Sequence, residues 1–482
     1  MQKHLLFGGE NKEFFLIQAM LTLRFYNAII PHSFHIEEVK MRIQLSDSFN
    51  YKKLLRFTFP SVIMMVFTSI YGVVDGFFVS NYAGKTEFAA LNFIMPFLMI
   101  LGAVGFMFGA GGSALIAKTL GEGDRQKASR LFSLFVYVTA ICGTIFAVVG
   151  IAFLRPVAEL LGANGDMLDF CVIYGRIILA ALPLFMLQIE FQTYFITAEK
   201  PQLGLYITVI SGVTNMVFDW LFLAVFEWGL VGAAAATALS QAVGGIVPLF
   251  YFAARNNSLL RLTALKYDGR ALLLACTNGS SELLSNISMS LVGMLYNIQL
   301  IKFAGENGVS AYGVLMYVSF VFISAFIGYA TGVAPVIGYH FGAGNHGELK
   351  SLRRKSTVII CSCSVGMFVL SELLAMPLSK LFVGYDKALY ELTVRGFLIY
   401  SFSFLFSGIA IFGSSFFTAL NNGPVSAIIS FLRTVVFQVS AVIILPIFLD
   451  IDGIWLSVVI SELMAMIVTI CFILVKKKKY CY

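Results

Sequence analysis

Long apolar runs separated by short polar loops recur along this chain. Each run reaches the roughly 20 residues that a helix needs to cross about 30 Å of hydrocarbon. Twelve such segments are predicted, near 54–80, 88–117, 130–153, 171–195, 201–226, 230–254, 272–301, 309–339, 357–380, 393–418, 424–449 and 453–475. Within two of them the polar positions form stripes. Thr68, Tyr71 and Asp75 fall at i, i+3 and i+7, and Thr208, Ser211, Asn215 and Asp219 at i, i+3, i+7 and i+11, so each set shares one helical face. An ionised group at membrane depth costs at least a few kcal/mol and therefore tends to face a cavity or a partner. The stripes predict a wet interior.

The chain also repeats itself. Shifted by 221 positions, Gly84 meets Gly305, Gly111 meets Gly332, Gly121 meets Gly342, Gly123 meets Gly344, Pro156 meets Pro377 and Gly175 meets Gly396. The segment GEGD at 121–124 pairs with GAGN at 342–345, and past Asn421 the register shifts by two or three. Six spans separate each element from its copy, so both halves enter the membrane in the same orientation, a recurrent transporter plan with a central cleft. The expected fold is all-α, with twelve transmembrane helices in two pseudo-symmetric lobes. The N-lobe covers 51–254, a cytoplasmic linker 255–271, the C-lobe 272–475 and a basic tail 476–482.

Composition agrees with that pattern: of 482 residues 59% are hydrophobic and only 12% charged, far from the balance of a soluble domain. The formal charge of +7 does not mark a nucleic-acid partner, because its distribution follows topology. Twenty Lys and Arg, from Lys52 and Arg56 to the terminal Lys476–Lys479, lie in one set of loops, against six in the alternate loops. By the positive-inside rule both termini are cytoplasmic. Six of the seven cysteines fall within predicted spans, which argues against a disulfide framework. Residues 1–50 are too polar to span, and Met41 opens a more ordinary cytoplasmic lead-in, so Met41 is the expected start.

Asp75, Asp219 and Thr237 each lie roughly 8–12 Å inward from the outer ends of their helices at 1.5 Å of rise per residue, and so can meet in one layer. With Asn215 they form a set of hard oxygen donors suited to a small cation or a shared proton. The rival reading has the two aspartates capping hydrogen-bond networks between helices. In the second half Tyr296 stands at the position of Asp75, and Glu282, Asn286, Gly293 and Asn297 lie near one face of helix 7. They are a candidate substrate or second acidic site, or a snorkelling group near a helix start. Pro60 shares a helix with Asp75, where it loosens the backbone ladder. Aromatic residues make up 15% of the chain, and those lining a cleft suit planar organic cations.

The segments PSVIMMVFTSIYGVVDGFFVSNYAG at 60–84, NMVFDWLFL at 215–223 and GLVGAAAATALSQ at 229–241 resemble the multidrug and toxic compound extrusion (MATE) family. The resemblance implies a monomeric secondary transporter of the bacterial plasma membrane, multi-pass and not an enzyme. Such a protein exchanges H⁺ or Na⁺ for amphipathic organic cations and needs no cofactor. It also implies that Asp75, Asn215, Asp219 and Thr237 form the cation site, acting as metal ligands if the ion is Na⁺, with Tyr71 beside them and Pro60 as the hinge of helix 1. Thr68 stands where many members carry Gln and Ser80 where Gly is common. Glu282 is not at the place of the helix 7 acid expected in the Na⁺-coupled branch, so H⁺ and Na⁺ both stay open. A flippase for a lipid-linked saccharide shares the broad architecture but calls for a more basic cavity. An integral-membrane enzyme would need a His cluster, a DDxxD motif or a nucleophile elbow within the spans.

Overall fold

The computed structural model describes residues 43–482, and every regular element among them is a helix. Residues 1–42, with the expected start at Met41, lie outside the described residues. The N-terminal half comprises α1 (Tyr51–Tyr82), α2 (Lys85–Gly121), α3 (Arg125–Leu161), α4 (Gly165–Thr197), α5 (Pro201–Val225) and α6 (Gly229–Ala253). The other half comprises α7 (Gly269–Gly305), α8 (Asn307–Gly342), α9 (His346–Val383), α10 (Lys387–Ser401 and Phe404–Ala419) and the element Gly423–Tyr480. Asp450, at φ 48° and ψ −132°, divides that last element into α11 (423–449) and α12 (451–480). Spanning helices thus stand where hydropathy predicts them. Hydropathy does not show that α10 is bent by 48° at its middle. Nor does it show that α5 and α11 each contain a six-residue π-helical stretch, Trp220–Val225 and Leu432–Phe437.

Large apolar side chains cover the outside: Phe250 is 70% and Leu381 73% exposed. In water such a surface would aggregate, whereas hydrocarbon solvates it. Two separate apolar cores lie within. Leu98, Leu154, Tyr174, Leu179 and Met186 belong to the first, and Tyr296, Leu315, Phe404, Val442 and Trp455 to the second. These are the N-lobe and the C-lobe.

The paired segments 121–124 and 342–345 make the same turn for the same reasons. Gly123 (φ 87°) and Gly344 (φ 66°) occupy the left-handed region, where a side chain would be strained. The following Asp124 and Asn345 cap α3 and α9 by accepting from Lys127 N (2.8 Å) and Glu348 N (3.1 Å). The first glycine of each segment serves the lobe interface. A Cβ on Gly121 would overlap the Tyr339 carbonyl, and one on Gly342 the Lys118 carbonyl. Lys118 and Tyr339 are themselves 221 residues apart, so the two contacts exchange under the repeat. Gly111 against Gly279 and Gly332 against Thr58 extend the same reciprocal pattern along α2–α7 and α8–α1. The lobes therefore close on each other through small residues near the helix ends that carry most of the lysines and arginines. This end is the basic face.

On that face residues 254–268 are irregular and pin to the N-lobe, with Thr263 N donating to Ser133 Oγ (2.8 Å) and Leu262 N to the Phe252 carbonyl (3.0 Å).

Candidate functional site

Helix α5 presents its polar stripe inward along its whole length: Thr208, Ser211, Asn215 and Asp219 are all buried, Asp219 completely. The stripe divides into two parts. Near the basic face it is saturated with partners. Gln192 Nε2 donates to Thr208 Oγ1 (3.4 Å), Gln188 Nε2 to Ser211 Oγ (3.1 Å), and Ser211 Oγ to the Ser240 carbonyl (2.7 Å). These bonds tie α4, α5 and α6 together. Toward the opposite face the stripe meets α1. There the Asp75 carboxyl lies against Asp219, Asn215 and Thr237.

This second part is not saturated. Asp75 Oδ1, Asn215 Oδ1 and both carboxylate oxygens of Asp219 are buried without a hydrogen-bond donor among the described residues. None of the ion pairs among those residues involves either aspartate. Two carboxylates, an amide oxygen and a hydroxyl thus converge with spare lone pairs and no cationic side chain. Buried acceptors left in this way cost about 1–3 kcal/mol each unless something supplies charge or a proton. The arrangement fits a proton or a small hard cation.

Neighbouring residues shape the pocket. Gly212 has no Cβ, which lets the rings of Phe67 and Tyr71 on α1 approach α5 closely. Tyr71 and the fully buried Tyr174 of α4 both lie within electrostatic reach of Asp75, and Tyr174 also of Asp219. The π-helical stretch of α5 begins immediately after Asp219, and such stretches often mark functional positions. Tyr174 is the functional candidate that sequence reasoning missed. A tyrosine in an apolar run reads as core, and only the packing of α4 against α5 and α6 brings it within reach of the acids.

Of the residues singled out from the sequence, Asp75, Asn215, Asp219, Thr237 and Tyr71 come together. Thr68 does not join them through its hydroxyl, which donates back to the Met64 carbonyl (2.9 Å). Pro60 lies buried inside an uninterrupted α1, next to the turn where Gly328 of α8 packs against Val62. On α7, Asn286 Nδ2 donates to the Glu282 backbone carbonyl (2.8 Å), a bond within one helical turn that does not involve the Glu282 carboxylate. Asn297 is exposed further along α7 and is not brought to them.

Four further charged residues within the spans, Glu190, Glu372, Arg433 and Glu462, have defined surroundings. Arg433 Nε and Nη2 grip the Glu462 carboxylate at 2.8–3.0 Å, with Glu282 within electrostatic reach of the same guanidinium. Glu372 accepts from Ser401 Oγ. Glu190 is wholly buried beside Thr139 and Tyr194, and neither oxygen has a donor, the Tyr194 hydroxyl being committed to the Phe108 carbonyl (3.0 Å).

Comparison with known proteins follows the same outline. The MatE family model matches twice, over residues 60–221 and 283–444, once in each lobe. A multidrug export protein MepA of Staphylococcus saprophyticus is 25% identical over 364 residues, covering 74% of this chain and 80% of that protein. The MepA of Staphylococcus aureus strain MRSA252 is 23% identical over 416 residues, 86% of this chain and 91% of its own. Among solved structures, an outward-facing multidrug resistance MATE family transporter of the MOP superfamily superposes with a TM-score of 0.85 at 22% identity. That match covers 90% of this chain and 97% of the other.

Proposed function

The chain belongs to the MatE family, and we propose that it is a secondary active multidrug exporter that exchanges H⁺ or Na⁺ for amphipathic organic cations by alternating access between its lobes. One observation carries this reading. Asp75 and Asp219, from different helices, face each other in a buried pocket with orphaned oxygens and no cationic partner among the described residues. Such a pocket binds a proton or a sodium ion, with Asn215 and Thr237 completing the donors. The multidrug export named for the staphylococcal relatives supports the substrate side of the proposal.

The mechanism rests on differential affinity. A bound ion can drive a conformational change only by as much as it prefers one state over the other. Neutralising the pair removes the repulsion between α1 and α5 and lets the α1 stripe, Tyr71 included, repack toward Tyr174. Pro60 gives α1 a place to bend, because its missing N–H leaves one carbonyl of the helix without its bond. That carbonyl lies next to the α1–α8 contact through which the lobes close. The basic face is then the cytoplasmic one, with both ends of the chain on it. The protein works as a monomer in a bacterial plasma membrane and performs no covalent chemistry.

The test is transport by purified protein in liposomes. An imposed gradient of H⁺ or Na⁺ should drive accumulation of a cationic dye such as ethidium, and Asp75→Asn/Asp219→Asn should abolish the drive while the protein stays folded in the membrane. Vigorous gradient-driven transport by that variant would move the coupling site elsewhere, with Glu282 next to be tried. Movement of anionic lipid-linked sugars, with every cationic dye ignored, would replace the exporter by a flippase.

A further inference from the structure

The repeat allows each charged residue of one lobe to be set beside its counterpart in the other. Tyr296 stands for Asp75. With the shifted register that places Pro424 on Pro201 and Gly453 on Gly229, Gln438 stands for Asn215, Val442 for Asp219 and Ser461 for Thr237. The C-lobe thus has a neutral outer layer, in which the Tyr296 hydroxyl bonds to Ser457 Oγ (2.6 Å) beside Gln438. Of its charges, Glu462 directly follows Ser461 on α12, at the level of that layer, and Arg433 reaches it from the side of the basic face. Arg433 is nine residues before Val442 on α11, about 13 Å nearer the basic face at 1.5 Å of rise per residue.

The helix positions that enclose the N-lobe acids, here α7, α10, α11 and α12, surround a carboxylate with its cation already supplied. Arg433 binds Glu462 side-on through Nε and Nη2, with side-chain exposures of 18% and 9%. The groups facing the pair from the other helices are Glu282 and Tyr296 on α7 and Tyr400 on α10. Arg433 lies in the π-helical stretch of α11, as Asp219 borders that of α5, so each lobe has its helical irregularity beside its buried charge. The N-lobe offers carboxylates and no cation; the C-lobe offers a carboxylate and a fixed one.

We propose that the C-lobe interior is a second cation site closed by a tethered cation, and that Arg433 thereby confines ion coupling to the N-lobe. An arginine cannot lose its proton in a protein, and its planar fork matches a carboxylate in two bonds. It therefore cannot be released and rebound in each cycle as a free ion must be. Glu462 is withdrawn from exchange without being removed. Without Arg433 the buried carboxylate has no counter-charge and recruits a monovalent cation from solution, H⁺ or Na⁺, with Glu282 close enough to share it. The coupling consequence rests on the reading of Asp75 and Asp219 as the exchange site; the cation count does not.

The experiment counts cations on purified protein in detergent. Proton uptake is measured in sodium-free choline buffer, and sodium binding with the radioactive ion. Arg433→Gln should hold one more monovalent cation per molecule than the unaltered protein, and should do so equally in an Asp75→Asn/Asp219→Asn background. Persistence in that background separates this proposal from the N-lobe reading. Arg433→Lys and Arg433→Gln/Glu462→Gln should both return to the unaltered count, and the latter should export dye at the unaltered rate. An unchanged count in Arg433→Gln overturns the proposal. So does loss of export in the double variant, which decides alone if Arg433→Gln fails to fold.

Discussion

The two lobes share one backbone plan and use opposite electrostatics. In the N-lobe, Asp75 and Asp219 face each other unpaired toward one side of the membrane, over a neutral layer of Gln188, Ser211 and Ser240 that is fully hydrogen-bonded. In the C-lobe the positions matching those acids are neutral, Tyr296 is bonded to Ser457, and the one carboxylate beside them, Glu462, is held by Arg433 from the side of the basic face. A duplicated fold thus has one half whose facing carboxylates lack a cationic partner among the described residues and one half whose carboxylate has one. The glycine contacts between the lobes stay reciprocal, so symmetry is kept where the halves must close on each other and lost where charge is handled.

The largest test of this asymmetry is loss of coupling. Asp75→Asn and Asp219→Asn should each reduce gradient-driven dye export to background in proteoliposomes. The double variant should be no worse than either, because the carboxylates act as one unit. Additive partial losses would mean that the two acids bind independently.

Stability should respond in the opposite sense in the two lobes. Glu462→Ala leaves the half-buried Arg433 guanidinium without its bidentate partner, with Glu282 the remaining acid in reach, and should lower the thermal midpoint. Asp75→Asn removes one of two facing carboxylates and should raise the thermal midpoint in detergent. Equal destabilisation by both would erase the distinction between an exchange site and a fixed pair.

Where symmetry is kept, matched substitutions should match. Gly121→Ala and Gly342→Ala each place a Cβ against a carbonyl of the other lobe, with an overpacking cost of about 1–3 kcal/mol against the closed basic face. Spin labels across that face should report the same shift toward an open arrangement for both. A shift for one alone would show that the reciprocal contacts carry unequal strain.

The smallest effect expected is at the neutral donors. Thr237→Ala removes one hydroxyl from the ion pocket and should raise the ion concentration for half-maximal export by about two- to tenfold. Ser461→Ala, its counterpart, should leave that value unchanged.

The twelve helices were legible because a membrane-spanning helix must be apolar over its whole length, a local property that hydropathy reads directly. The repeat was legible because turns and close approaches demand glycine: Gly123 and Gly344 for their left-handed backbone, Gly121 and Gly342 for the lobe contact. The stripe Thr208, Ser211, Asn215 and Asp219 was legible because one helix face repeats with a fixed period. The depth of Asp75, Asp219 and Thr237 followed from helical rise alone.

What the one-dimensional pattern leaves open is which helix stands beside which, and every finding that depends on adjacency had to come from the tertiary structure. Tyr174 reads as core until α4 is packed against α5 and α6. Arg433 and Glu462 read as two unassigned charges until α11 and α12 bring them into bidentate contact. Asn297 shares a rough periodicity with Glu282, yet the packing of α7 leaves it exposed and apart. The π-helical stretches beside Asp219 and at Arg433 arise from how α5 and α11 fit their neighbours, and no composition marks them. Composition and period act within a single helix, whereas the pairing of charges across helices is decided by packing in three dimensions. The sequence therefore determines that this chain spans a membrane twice six times with acids inside it, and the fold decides which of those acids remain free to take up an ion.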